Sequence, residues 1–466
     1  MPKYRNTVLW GVWIGLTIML AGYYMTKFYD KTADKTVFLP GATSYGHYQI
    51  ELACEACHTG PYTDRDMLQK ACVNCHGEAL KEAKDKHPES KFTDPRNADR
   101  LALLDARYCV TCHVEHRPEI TLDMGVTMPA DYCHLCHYDI ARDRPSHAGM
   151  AFDTCASAGC HNFHDDRALY EDFLVKHAHE PDTKEKGAVP ALNFKDIAAF
   201  IEGYPADRYP LRPLKGEDAD APPDHQGDAK LLQDWLVSKH AAGGVNCSAC
   251  HEKQTDKESL WLDKPDHEVC KTCHANEVKH FLAGRHGMRL DRKNLKRELS
   301  PMTPALARLP MKEQARDKAL TCNTCHGAHN YATADIAVDS CLGCHDDEHS
   351  LAYKDSPHYR LWQQEKSGAL PPGRGVSCAT CHMPRIEVDY NWGEYTHIMA
   401  EHNQSDTMRP NEKMIRPVCM TCHGLGFSID ALADEDLIRR NFNGRPAVHI
   451  RSIDMAEARA ARGKKK

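Results

Sequence analysis

Between Cys322 and His349 the chain reads CNTCHGAHNYATADIAVDSCLGCHDDEH. Two thiols separated by two residues, followed at once by an imidazole, occur here twice, as Cys322/Cys325/His326 and Cys341/Cys344/His345. His329 and His349 stand nearby as extras. Thiols at that spacing can add across the two vinyl groups of one porphyrin, and the next histidine then reaches the iron from the same side. That is the chemistry of covalent c-type haem (heme c) attachment.

Of the 22 cysteines in this 466-residue chain, 20 fall in such Cys-x-x-Cys-His motifs. In chain order the first four sites are Cys54/Cys57/His58, Cys72/Cys75/His76, Cys109/Cys112/His113 and Cys133/Cys136/His137. The fifth is a Cys-x4-Cys-His variant, Cys155/Cys160/His161, whose longer loop has to bulge between its two thioethers. The sixth to eleventh are Cys247/Cys250/His251, Cys270/Cys273/His274, the two sites already given, Cys378/Cys381/His382 and Cys419/Cys422/His423. Paired cysteines also build zinc knuckles, but tetrahedral zinc has no need of a histidine directly after every second cysteine. A disulfide scaffold leaves the same histidines unexplained. The expectation is about eleven covalently attached haems.

Each iron needs a sixth ligand, and 30 histidines less the 11 proximal ones leave 19. His116, His164 and His329 each follow a proximal histidine by three residues. So close in sequence, they lie on the proximal side of their own haem and are candidates for a neighbouring one. His87, His147, His240, His286, His358 and His397 are further candidate distal ligands, and His349 and His402 also lie in stretches long enough to reach across. His134, inside a motif, and His449, beyond the last, are not expected to ligate. Bis-histidine iron changes little on redox and excludes substrate, as an electron carrier requires.

The elements that hold these groups read as helices and long irregular segments, since strand signals are sparse. Only 41% of residues are hydrophobic and 8% aromatic, a thin core unless porphyrins supply the apolar interior. The expected fold is mainly α with extensive irregular structure, wrapped on covalently bound haems, with one N-terminal transmembrane helix. Val8–Met25 is almost wholly apolar and follows Lys3 and Arg5, with Trp10 and Trp13 at one end and Tyr23, Tyr24 and Tyr29 at the other. Length, aromatic ends and leading positive charge describe a single-pass inner-membrane anchor with the bulk of the chain in the periplasm. A cleaved signal peptide would look similar, but the small-x-small cleavage pattern is poor. Gly11 and Gly15 form a Gly-x-x-x-Gly pair through which two anchors can pack into a homo-oligomer.

The expected organisation is an anchor (1–30), a five-haem module (31–179), a linker rich in Pro, Asp, Glu and Lys (180–228), a six-haem module (229–445) and a basic, solvated tail (446–466). Thr32–His47 reads as an exposed connector, and helices are expected at 165–177, 230–240 and 429–441, with Phe194–Gly203 a further possibility inside the linker. The net charge of −7, from 59 basic and 66 acidic residues, becomes more negative with ionised propionates, which argues against a nucleic-acid partner.

The C-terminal half resembles the superfamily of hydroxylamine oxidoreductase, octahaem tetrathionate reductase and pentahaem nitrite reductase. The resemblance is carried by CNTCHGAH (322–329), DDEHSLAYKDSPHYRLW (346–362), GVSCATCHMPR (375–385), YTH (395–397) and CMTCHG (419–424). It implies that the seventh site holds the catalytic-haem position, His349 an active-site acid/base and His358 a distal ligand. No Cys-x-x-Cys-Lys motif occurs, and no tyrosine follows Tyr395 to serve as a haem cross-link. The anchor followed by a small haem cluster is similar in plan to quinol-oxidising anchor cytochromes. Two functions are therefore open: an electron carrier between a membrane donor such as quinol and a periplasmic redox partner protein, or an oxidoreductase acting on a small nitrogen or sulfur compound.

Overall fold

The computed structural model describes residues 2–30, 35–60, 62–85, 87–144, 147–150, 163–164, 169–192, 212–254, 258–331, 333–390, 395–408 and 411–463. The fold is mainly α with extensive irregular structure, and the described strands form two antiparallel hairpins. Glu252–Gln254 pairs with Ser259–Trp261, and Arg385–Tyr390 pairs with Tyr395–Ala400. The fifth attachment site, expected at Cys155, Cys160 and His161, lies outside the described residues, as does the helix considered at Phe194–Gly203.

Pro2–Tyr29 is one continuous helix. Its stretch from Asn6 to Tyr29 is 24 residues long with a mean hydropathy of 1.6, long and apolar enough to cross a membrane. None of that stretch is buried against the rest of the chain, so Trp10, Trp13, Leu16 and Leu20 face outward.

Side-chain cores are small and separate. The largest joins Leu174 on the helix Glu171–Lys176, Leu425, Ile429 and Leu432 on Leu425–Ala433, and Ile453 and Ala456 on Ser452–Gly463. The expectation of a solvated tail is corrected here, because two apolar residues at helical spacing dock the 452–463 helix on this core. The single helix expected over 429–441 is two helices broken at Asp434, whose carboxylate accepts from Leu437 N (2.9 Å) and Ala447 N (2.7 Å). Leu425 is fully buried, so Leu425→Ala is expected to cost about 2–5 kcal/mol and lower the thermal midpoint followed by circular dichroism.

A second cluster packs Leu214 and Ala241 around Trp235, on the helix Ala229–Leu236 that Asp228 caps. A third gathers Val338, Leu342 and Tyr353. The start of the expected linker lies against the last attachment site: Lys184 N donates to Cys422 O (2.8 Å), and Arg374 donates to the carbonyls of Glu185 and Gly187. A Cβ on Gly187 would stand 2.7 Å from Cys422 Cα, so this approach needs glycine.

Candidate haem sites

The attachment motifs share one local geometry. In six of them the histidine N–H donates to the carbonyl of the first cysteine at 2.7–3.0 Å: His58, His113, His137, His274, His345 and His423. One helical turn puts residues three and four apart on the same face, which presents both sulfurs and the imidazole together. Local sequence supplies that turn: Ser377 with Thr380, and Thr321 with Thr324, form capping boxes before the tenth and eighth motifs. The second motif instead sits inside the long helix Arg65–Glu82, capped by Asp64 accepting from Met67 N at 2.8 Å. All twenty described cysteines are free thiols, which stand in for the sulfurs of thioether links. Cys155, Cys160 and His161 of the variant motif fall outside the described residues, so that site rests on its sequence alone. Among the described residues no three His, Cys, Asp or Glu side chains converge as a tetrahedral zinc site demands.

The decisive observation concerns imidazoles. A metal–imidazole bond of about 2 Å, with roughly 1 Å more to the ring centre, sets trans ligands of one iron about 6 Å apart, centre to centre. Nine proximal histidines have a second imidazole at that distance. In the N-terminal part the pairs are His76 with His47 (5.8 Å), His113 with His164 (6.3 Å) and His137 with His87 (6.2 Å). In the C-terminal part they are His251 with His329 (5.9 Å), His274 with His240 (6.1 Å) and His326 with His402 (6.2 Å). His345 with His286 (6.4 Å), His382 with His349 (6.0 Å) and His423 with His358 (6.3 Å) complete the set. These residues fit haem: each pair brackets a space for one iron, with two sulfurs beside it.

Surrounding groups aim the rings. Nδ1–H donates to a backbone carbonyl from His87 (Phe163, 2.6 Å), His113 (Gly125, 3.1 Å), His251 (Leu262, 2.6 Å), His402 (Ala400, 2.8 Å) and His423 (Asp182, 2.7 Å). That bond fixes the tautomer and leaves Nε2 for a metal. Burial pushes His76, His240, His286, His326, His358 and His382 down to about 4, keeping them in the neutral, ligating form. His329 is held at φ +76°, a left-handed conformation costly for a non-glycine residue, and its ring lies opposite His251 of another motif.

His47 is aimed by a carboxylate. Glu115 Oε1 lies 2.6 Å from its Nδ1, and Ser44 donates to the same carboxylate through N (2.6 Å) and Oγ (2.7 Å). Burial alone would raise the Glu115 pKa, but these bonds outweigh it and hold the group at about 2. A fixed negative charge on a ligand's far nitrogen favours ferric over ferrous iron. Glu115→Gln is expected to raise one midpoint potential; a tenfold preference would correspond to about 59 mV in a spectroelectrochemical titration.

Neighbouring sites touch in sequence order. The Cys57 sulfur lies near Cys75, and Cys72 is within hydrogen-bonding reach of Cys109, which joins the first three sites. Phe163 links the third to the fourth, packing at 4.1 Å on His87 and 5.0 Å from His164. Further on, Cys250 lies near Cys270 and Cys273, Cys270 beside Cys322, and Cys325 near Cys341 and Cys344. Cys341 lies near Cys378, and Cys381 near Cys419 and Cys422, so the sixth to eleventh sites follow one another in a row.

A family model described as cytochrome c3 matches residues 46–138, the stretch holding the first four sites. The match supports a multihaem cytochrome c. No curated protein matches the chain. Covalently bound haem c and electron transfer follow from that family match and from the motif chemistry.

Of the expected distal ligands, His87, His164, His240, His286, His329 and His358 each lie opposite a proximal ring. His116, His147 and His397 stand outside the nine pairs. His116 donates from Nδ1 to Gly41 O (2.8 Å), and His397 is buried on the strand Tyr395–Ala400, five residues before His402. His449 contacts Asp430 and Asp454 through its two nitrogens at the surface. His349, expected as an acid/base facing substrate, lies instead against His382, its Nδ1 held by Ile438 O at 2.5 Å. Asn441 Nδ2 approaches both its carbonyl oxygen (3.0 Å) and Nε2 (3.3 Å). His47 was legible only as a histidine in a connector, because Glu115, which aims it, lies far along the chain.

Proposed function

We propose that this protein is a membrane-anchored, periplasmic undecahaem electron carrier. In this reading it passes electrons between a membrane donor of the quinol class and a periplasmic redox partner. The observation that carries the reading is the set of nine paired imidazoles, which leaves those irons no position for substrate. It includes the seventh site, where the resemblance to the hydroxylamine oxidoreductase superfamily implies a catalytic haem. His349 is then an axial ligand of the tenth site and not an acid/base. The C-terminal row keeps that superfamily's motif order as a conduit.

The Asn6–Tyr29 helix, preceded by Lys3 and Arg5, supports an anchor with its N-terminus in the cytoplasm. Turnover of a small nitrogen or sulfur compound would need an iron outside the nine pairs, and the first and fifth sites are the places for it. His58 of the first site is exposed.

Spin quantification by EPR, set against a pyridine haemochrome count, tests the proposal. About eleven haems per chain are expected. At least nine should be low-spin and unchanged by nitrite, sulfite or cyanide. A count well below eleven, or a ligand-binding high-spin signal exceeding two haems per chain, would defeat it. Release from membranes by salt alone would defeat the anchor.

A further inference from the structure

The first four sites and the six-site row are joined at a place that the order of motifs does not suggest. The segment Tyr45–Leu52 carries His47, opposite His76 of the second site. Four arginines from the C-terminal part grip this segment. Arg285 donates to Tyr45 O (3.1 Å) and stacks its guanidinium 4.5 Å over the Tyr45 ring. Arg289 donates to Gln49 O at 2.5 Å, and Arg297 to Leu52 O at 2.9 Å. Arg308 pairs with Glu51 (3.7 Å) and stacks over Tyr48 at 4.5 Å. Beside them Lys279 meets Glu78, two residues past His76, at 2.6 Å.

Arg285 immediately precedes His286, the imidazole opposite His345 of the ninth site. Tyr45 is two residues before His47. One contact therefore ties together the backbones that present a distal ligand to the second site and a distal ligand to the ninth. Carbonyl acceptors and aromatic faces suit guanidinium groups, which keep their charge at any working pH and bind in a fixed plane. Three of the four hydrogen bonds or ion pairs use backbone carbonyls, so they fix the path of the chain and not merely side chains.

We propose that this arginine-clamped contact is the electron junction between the two haem groups, linking the second site to the ninth. Arg285 is a positioning residue for both His47 and His286. The inference rests on the electron-carrier reading above. One electron crosses, one iron is oxidised and the other reduced, and no atom or proton need move. Charge from the N-terminal group arrives inside the row, which therefore has two ends, the sixth and the eleventh sites, at which a partner can be served. A chain wired strictly in motif order would have one.

The test uses the full-length holoprotein with Arg285→Gln and, separately, Arg308→Glu. Flash-photoreduced flavin injects less than one electron per chain, and haem absorbance follows redistribution between the two groups. Losing the Arg285 hydrogen bond, or replacing the Arg308–Glu51 ion pair by two carboxylates, is expected to lower the docked population about tenfold. Redistribution should therefore slow by about that factor in each variant. EPR of Arg285→Gln should also show altered low-spin signals from no more than two haems, a change that a general loss of stability would not produce. Arg285→Lys should restore redistribution only in part, since an ammonium lacks the planar face. Unchanged redistribution in both variants, with haem count and circular dichroism intact, would overturn the junction alone. Extensive high-spin haem in the unaltered protein would instead overturn the carrier reading, and the junction with it.

Discussion

His349→Ala is expected to convert one low-spin haem to high-spin while the pyridine haemochrome count stays unchanged. The reason is geometric: the ring lies 6.0 Å from His382, and Ile438 O holds its Nδ1. Without it the tenth iron is left with one protein ligand, and small anions gain access. The midpoint of that haem should rise by on the order of 100 mV, a modest part of the ~0.8 V range that axial ligands span. An acid/base role predicts the opposite pattern, with spectra intact and only turnover lost. Partial recovery of low-spin signal on adding imidazole would identify the lost group as a ligand. Because the tenth site lies between the ninth and eleventh, reduction of the eleventh should also become slower.

The double substitution Cys322→Ala/Cys325→Ala has the second large expected effect. It should lower the haem count by one and break the row between the seventh and ninth sites, since Cys270 lies beside Cys322 and Cys325 near Cys341. Stopped-flow reduction should change from near-uniform to clearly biphasic, with the sixth and seventh haems in one phase. Stability should fall as well. The described side-chain cores are small, so a missing porphyrin leaves a void larger than any side chain would. The loss is expected to exceed the ~3–5 kcal/mol of a buried Phe or Trp truncation.

What could be read from the chain alone follows a physical division. Attachment is covalent and local, so both thiols and the proximal imidazole must sit in one short motif, and each candidate site can be named from its own few residues. A distal ligand needs only to arrive opposite the iron, from any distance, and no local pattern marks it. His47 lay unremarked in a connector because its partner His76 and its carboxylate Glu115 come from other segments. His349 kept two readings, a ligand by its reach and an acid/base by resemblance, for a related reason. The resemblance implied an acid/base there, and the neighbouring Asp347 caps the helix Glu348–Ala352 by accepting from Ser350 N at 3.0 Å. The terminal helix was hidden by its basic residues, although Ile453 and Ala456 are buried. The mainly helical fold with its apolar N-terminal helix was legible throughout. The paths of its irregular segments were not, because they follow the groups they enclose.

The pairing of imidazoles also sets a timetable for biosynthesis. His329 completes the site at Cys247, His402 the site at Cys322, and His358 precedes the site it serves at Cys419. A chain made from its N-terminus onward would thus leave haems at Cys247 and Cys322 with a free face until much later residues follow. Each closure then laces two remote segments into a loop, whose entropic cost rises only slowly with length. Products that stop short of residue 402 would keep an open, reactive haem deep in their interior. For such a protein, translation that ends early yields an oxidant-sensitive fragment and not merely a shorter wire.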